Sequence, residues 1–545
     1  MIHPCISQKS ALNLIRIWEE IMKNEHEIKR LDSTKVIFIL KGILIGAIAG
    51  IIVSLFRLLI EEMMEHIVTL YLWLRGNPVW IIPWALIMLA CAFIVGSLIK
   101  SEPNIKGSGI PQVEGTLQGE IKLKWFSVLW KKFVGGVLSV GSGLFLGREG
   151  PSIQLGAMVG QGFSEYTKAS TSEKKIFISS GAAAGLGAAF NAPIAGLLFV
   201  IEEVHHHFSP LIWLTSLTAA LTANLISLNF FGLKPVLFIA NVPSLPLKYY
   251  GLLILLGIIL GILGYVYQIV LLSLPQLYKR SHLPEHLYGI IPFLLIIPIA
   301  LFFPHYLGGG NQIVLSIGEQ IFPLIVLISL FVLRFIFSMV SYGANLPGGI
   351  FLPILTLGAL IGAIYGTILH RWFGMDPMLI RDFAIFAMAG YFTAIGKAPL
   401  TAIILVTEMV GNITHLMPLA VCSLTAYVIN DLLGGNPIYE SLLERLLNGH
   451  LPSITGNKTI IEFPVTAEST LDGTMVRDFN WPKEMLLISI RRGSSEILTH
   501  GDTVMKVGDL LMILTDEGYT KKIKAQIRER SDAAIAKKQD KKIKD

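Results

Sequence analysis

Gly147-Arg148-Glu149-Gly150-Pro151-Ser152-Ile153-Gln154-Leu155-Gly156-Ala157 sets a charged pair inside sequence that is otherwise apolar and glycine-rich. Residues Phe133 to Leu146 carry no charge, and neither do Ser152 to Phe163. A carboxylate in such surroundings is costly unless it faces a partner or a water-filled path, so Glu149 is a candidate functional residue. Pro151 suits the first turn of a helix, where its missing N–H would be unpaired anyway. A helix starting there leaves the backbone N–H groups of Arg148, Glu149 and Gly150 at its positive end, which favours an anion. Glu149 is then an anion tethered over an anion site, the arrangement of a gate.

The pattern occurs twice. Gly147-x3-Pro151-x3-Leu155-Gly156-Ala157-x2-Gly160 returns 202 residues later as Gly349-x3-Pro353-x3-Leu357-Gly358-Ala359-x2-Gly362. Ala192-Pro193-Ile194 through Glu202 likewise returns, 206 residues on, as Ala398-Pro399-Leu400 through Glu408. Two matches in order at nearly one offset predict a duplicated membrane unit. Transporters built this way hold ions at the repeat interface, on the N-termini of broken helices.

The composition agrees. Of 545 residues, 53% are hydrophobic and 15% charged, against about a quarter charged in soluble domains. Mean hydropathy is +0.64. Uncharged runs cover Ile43 to Phe56, Pro210 to Leu233, Tyr250 to Leu277 and Ile321 to Leu333. A membrane helix needs about 20 mostly apolar residues, so the chain is read as an all-α polytopic membrane protein. Gly and Pro interrupt several segments, and a count of hydropathy peaks will miss half-spanning helices. Residues 1–35 lack the apolar core and small-residue site of a cleavable signal peptide. Cys5, Cys91 and Cys422 have no metal-like spacing and imply no disulfide framework. The formal charge of +6 has a local source: residues 521–545 carry ten Lys/Arg and four Asp/Glu. Positive charge collects on cytoplasmic segments. The tail, and the N-terminal segment with Lys23, Lys29, Arg30 and Lys35, are therefore both expected on the cytoplasmic side of the cell membrane.

Other positions admit two readings each. Residues 10–31 have helical spacing and read either as an amphipathic helix at the membrane or as a partly ordered leader. Lys106-Gly107-Ser108-Gly109-Ile110-Pro111 can expose a hydroxyl and backbone N–H groups to an ion, and is also ordinary loop chemistry. Lys131 and Lys132 snorkel at the interface by default, or raise the potential at an anion mouth. Glu202 has a repeat partner in Glu408, which suggests a structural role for both. Glu203 faces Met409 in that alignment and reads as a proton stop or as an acid that simply meets water. His205, His206 and His207 cannot share one helix face, so they read as loop residues rather than a metal cluster. The N–H groups of Ile350 and Phe351 can donate to an anion. Tyr439, after the Gly434-Gly435-Asn436-Pro437 break, offers a phenol donor or an interface anchor.

Taken together, Gly107-Ser108-Gly109-Ile110-Pro111, Gly147-Arg148-Glu149-Gly150-Pro151, Gly349-Ile350-Phe351-Leu352-Pro353 and Tyr439 resemble the CLC chloride channel and transporter family. The resemblance covers about residues 35–447, and four motifs in order make it specific. It implies two inverted-topology repeats, about 36–235 and 245–447, and a homodimer with one ion path per subunit. By residue, it implies chloride at the Ser108 and Tyr439 hydroxyls and the N–H groups of Ile350 and Phe351. Arg148, Gly150 and Leu352 would add backbone contacts, and Glu149 would be the external gate. A serine at position 108 goes with chloride preference in the family, where proline goes with nitrate. Glu203 falls where proton-coupled members have their internal proton glutamate, which implies exchange of chloride for protons. Some exchangers lack that acid, so a passive channel with the same gate is the rival reading. A membrane sensor with vestigial transport is a rival of another class, and the intact Ser108, Glu149 and Tyr439 argue against it. No nucleophile–base set suggests an enzyme, and no cofactor or nucleic acid partner is expected.

After a polar link at 448–457 the character changes. Met485 to Arg492 reads as a strand, Gly493-Ser494-Ser495 as a turn, Ile497 to His500 as a return, and Val507-Gly508-Asp509 as a turn into a second apolar strand. This predicts a small cytoplasmic α/β module over 458–519, marginal in size alone and hence suited to dimerisation, followed by a Lys-rich tail over 520–545. The module resembles TrkA-C-like regulatory domains. The resemblance implies a small-molecule regulator, such as a nucleotide, while a dimer brace without ligand is the plainer alternative.

Overall fold

A computed structural model describes residues 8–205, 209–239, 245–447, 458–467, 469–493, 495–516, 519–520 and 522–531, with side chains from residue 35 onward except that of residue 205. Cys5, His206 and His207 lie outside the described residues, as does the amphipathic face expected over 10–31. By its contacts the chain divides into two units, residues 1–113 with 123–442 and residues 114–122 with 443–545.

The first unit is helical. The helix from Gln8 runs unbroken to Gly76, so no break separates an N-terminal segment from the first span. Among the described residues, nine helices are long and apolar enough to cross a membrane. The glycine-rich helices Glu149–Tyr166 and Thr171–Phe190 are not among these nine, although both are largely buried. Their composition serves packing instead. A Cβ on Gly156 would strike the Gly181 carbonyl, and one on Gly181 would strike the Gly156 carbonyl. Small residues let two helix backbones touch where lipid offers no hydrophobic drive. The same device returns in the second half, where Gly358 and Gly362 of helix Phe351–Phe373 press on the Ala387 and Phe383 carbonyls of helix Leu379–Gly396. In each half a short helix beginning at a proline follows, Pro193–Phe199 and Pro399–Val410.

The two halves are joined by reciprocal bonds. Glu202 accepts from the backbone N–H groups of Leu400 (3.0 Å) and Thr401 (2.7 Å). Glu408 accepts from those of Ile194 (3.2 Å) and Ala195 (2.8 Å). Each carboxylate thus takes two N–H groups at the open N-terminus of the other half's short helix, whose leading proline has none to give. The structural role expected for the Glu202–Glu408 pair is what these bonds perform.

The second unit carries a four-stranded antiparallel sheet in the order β1-β4-β2-β3. Its strands are β1 (Lys458–Pro464), β2 (Met485–Arg492), β3 (Ser495–Leu498) and β4 (Leu510–Asp516). β1 was not separately assigned from sequence. Ile461, Phe463, Ile490, Leu511 and Ile513 point into one core, at the period of two that strands impose. Asp509, buried at the β4 turn, takes a two-pronged bond from Arg492 with both contacts at 2.7 Å. That pair raises the affinity of the Arg492 guanidinium for its proton. Residues 522–531, expected within the basic tail, are helical, and Ile523 and Ile527 join the core. Their isoleucines four apart form an apolar stripe that the lysine count concealed.

Candidate ion-binding site

Two extended segments meet inside the first unit. Gly147 and Gly349 form an isolated antiparallel pair, with N–H to carbonyl bonds of 2.7 Å in both directions. Two residues beyond each glycine a helix begins, at Glu149 and at Phe351. The pair therefore brings two positive helix ends to one place, which is where an anion is favoured. A third segment closes on them. A Cβ on Gly150 would lie 2.8 Å from the Ser108 Cβ and 2.9 Å from its carbonyl oxygen, so only glycine permits this approach.

The Ser108 loop is held by bonds from several directions. Gly107 and Gly109 have φ of +60° and +90°, a region that favours glycine. The Gly107 carbonyl accepts from Gly348 N–H at 3.0 Å and from Lys132 Nζ at 2.7 Å. Lys132 also donates to the Ile105 carbonyl at 2.9 Å. Lys132 is fully buried, which corrects its default reading as a snorkelling residue. A buried ammonium must find acceptors, and the carbonyls of the Ser108 loop supply them. Lys131 remains half-buried beside the Trp130 ring. The second half repeats the arrangement: Arg334, 202 residues after Lys132, donates to the carbonyls of Tyr306, Gly308 and Gly309.

Glu149 has no exposed surface, and neither carboxylate oxygen has a hydrogen-bond partner among the described residues. Around it stand Gly147, whose absent Cβ leaves room for the carboxylate, the backbone of Leu352, and Arg148, whose Nε lies 4.0 Å from Oε1. Arg148, Gly150, Ser108, Ile350, Phe351 and Leu352 are likewise buried. The Phe351 ring is held by Phe392 at 4.3 Å and Phe190 at 5.5 Å between centroids. Tyr439 is completely buried, and its hydroxyl has no partner among the described residues. A buried hydroxyl and a buried carboxylate without partners are costly in a sealed core, and they suit a site that receives a guest. Both Glu149 and Glu203 lie within electrostatic range of Tyr439. Glu203 is buried on a π-helical turn, Val200–His205, that follows the Pro193–Phe199 helix. Such turns are frequent at functional sites. The same turn carries Glu202, whose carboxylate bonds to the opposite half.

Three features were not read from sequence. Glu61 accepts from Arg148 across 87 positions, Arg57 donates to the same Glu61 oxygen, and Tyr342 lies against the Ser108 loop. Their positions in sequence carry no motif; Glu61 and Arg57 show only as charges inside an apolar run.

A multi-pass membrane protein with a buried carboxylate over converging helix ends belongs to the class of ion-transport proteins. The chain belongs to the voltage-gated chloride channel family, whose description matches residues 90–431, and residues 460–528 match the TrkA-C domain. It is similar to the H(+)/Cl(-) exchange transporter ClcA of Vibrio cholerae, 34% identical over 429 residues that cover 76% of this chain and 91% of that protein. The ClcA of Salmonella paratyphi B is 31% identical over 439 residues, covering 78% and 93%. Among solved structures, a slow cyanobacterial Cl-/H+ antiporter aligns with a TM-score of 0.72 at 33% identity, over 75% of this chain and 98% of that one.

Proposed function

We propose that this chain exchanges chloride for protons across the membrane. The observation that carries the reading is the meeting of the Ser108 loop, the two helix starts at Glu149 and Phe351, and the unpartnered Tyr439 hydroxyl around the buried Glu149 carboxylate. In this reading chloride is bound by the Ser108 and Tyr439 hydroxyls and the N–H groups of Ile350 and Phe351. Arg148, Gly150 and Leu352 contribute backbone N–H groups to the position that Glu149 fills when ionised. Protonation removes the charge that holds Glu149 there, and chloride takes the place. Glu203 passes protons to and from the inner side. Chloride and the proton then compete through one carboxylate, and their movements are linked. The names of the similar proteins, exchange transporter and antiporter, support exchange over passive conduction.

We further propose, on the family resemblance, a homodimer with both termini cytoplasmic and a C-terminal module, about 458–531, that answers to a small-molecule ligand such as a nucleotide. The test of transport is chloride-driven proton movement in liposomes, with Glu203→Gln beside the wild type. Proton uptake against its gradient, lost in Glu203→Gln while chloride still flows, is the expected result. Chloride flux with no coupled proton movement in the wild type would sink the exchange reading.

A further inference from the structure

Arg148 stands between two carboxylates. Its Nη1 donates to Glu61 Oε1 at 2.6 Å, while its Nε lies 4.0 Å from Glu149 Oε1. The same Glu61 oxygen accepts from Arg57 Nε at 3.0 Å. Arg57 is fixed in turn. Its Nη1 donates to Asn191 Oδ1 at 3.2 Å, its guanidinium lies 3.7 Å over the Phe231 ring, and Asn191 Oδ1 also accepts from Ser227 at 3.0 Å. Asn191 holds a left-handed backbone, φ 54°, at the end of the Thr171–Phe190 helix. Both arginines are about nine-tenths or more buried, whereas 40% of the Glu61 side chain is exposed. Four helices thus hold one open carboxylate over two buried guanidinium groups.

We propose that Glu61 is a positioning residue, which holds Arg148 away from the Glu149 carboxylate and keeps the gate free to leave its site. This rests on the reading of Glu149 as the gate. The charged groups around Glu149 are Arg148 at its own helix start and Arg57 from the first helix, with the Leu352 backbone and Tyr439 facing it from the second half. Glu61 faces Arg57 and Arg148. A guanidinium bonded closely to one carboxylate has fewer donors and less net charge to offer a second. With Glu61 uncharged, Arg148 is free to close the 4.0 Å gap and pin the ionised gate in place.

The test is the pH profile of chloride flux in liposomes for the full chain, with Glu61→Gln, Glu61→Asp, Glu149→Gln and the Glu61→Gln/Glu149→Gln pair. The Glu61→Gln midpoint is expected to move to more acid pH by about one unit, a tenfold change in proton concentration. Glu61→Asp, which keeps the charge on a shorter stem, should move it less and serves if Glu61→Gln does not assemble. In the Glu149→Gln background, where the profile should be flat, Glu61→Gln should change nothing. A wild-type midpoint in both Glu61 variants, beside a flat Glu149→Gln profile, would overturn this inference and leave the gate reading intact. An effect of Glu61→Gln that persists without Glu149 would also overturn it, since Glu61 would then act on chloride directly. A wild-type profile in Glu149→Gln would sink the gate reading and this inference with it.

Discussion

Gly147 and Gly349 bind each other twice, each giving its N–H to the other's carbonyl at 2.7 Å. They are the same position in the two repeats, so the site is centred on the place where the repeats meet themselves. A reciprocal pair of this kind requires a local two-fold relation between the segments. The helix starts that follow are therefore brought together by symmetry rather than by separate contacts.

The seat of Glu149, the proposed gate, depends on the bareness of Gly147. A Cβ there would strike the Glu149 carboxylate and sit 3.2 Å from Pro353 Cδ. Gly147→Ala should push the carboxylate out of its seat. The expected outcome is chloride flux that runs ahead of proton flux, read by recording both in one liposome preparation. An unchanged exchange ratio would argue against the seat described here.

Lys132 holds the Ser108 loop through the Ile105 and Gly107 carbonyls. Lys132→Met should lose about 2 kcal/mol of stability, the scale of charge-assisted bonds in a buried setting. Chloride affinity should fall as well, because the loop that presents Ser108 is loosened. Thermal unfolding with and without chloride checks both, and a variant as stable and as chloride-responsive as the wild type would refute the role.

Glu202 caps the short helix of the opposite half, and its neighbour Glu203 is the proposed internal proton site. Glu202→Gln weakens the cap on the Pro399–Val410 helix, at a cost of about 1 kcal/mol. It should lower the unfolding temperature and leave proton coupling in place. Glu203→Gln should do the reverse. The pair of variants, compared by Tm and by proton flux, separates the two assignments.

Tyr439 gives its hydroxyl to nothing among the described residues. Tyr439→Phe should therefore leave stability unchanged and weaken chloride binding about fivefold, on the order of 1 kcal/mol for one hydrogen bond. Isothermal titration with chloride reads the change directly. Equal affinities would remove Tyr439 from the site.

Much of this arrangement was legible because its parts are local. A glycine, a proline three or four places on, and an acid between them determine backbone freedom, a helix start and a charge within a few residues. The repeat was legible for the same reason, since Gly156 and Gly358 must both be bare to admit a neighbouring carbonyl. What stayed hidden depends on distance along the chain. Lys132 reads as an interfacial lysine until the carbonyls 25 and 27 positions away close over it. Arg57 and Glu61 read as stray charges in a long apolar run until Arg148 arrives beside them. Ile523 and Ile527 were masked by the lysines around them.

The crossed bonds of Glu202 and Glu408 carry a last consequence, for ancestry. Each half begins its short helix with N–H groups that the acid of the other half satisfies, and offers an acid in return. One half made alone would be incomplete, yet two copies facing opposite ways would complete each other. The fold is thus consistent with an origin as a pair of identical small proteins inserted in both directions. Split between residues 235 and 245, the two halves should assemble when produced together and be lost when produced apart, which co-expression and purification would reveal.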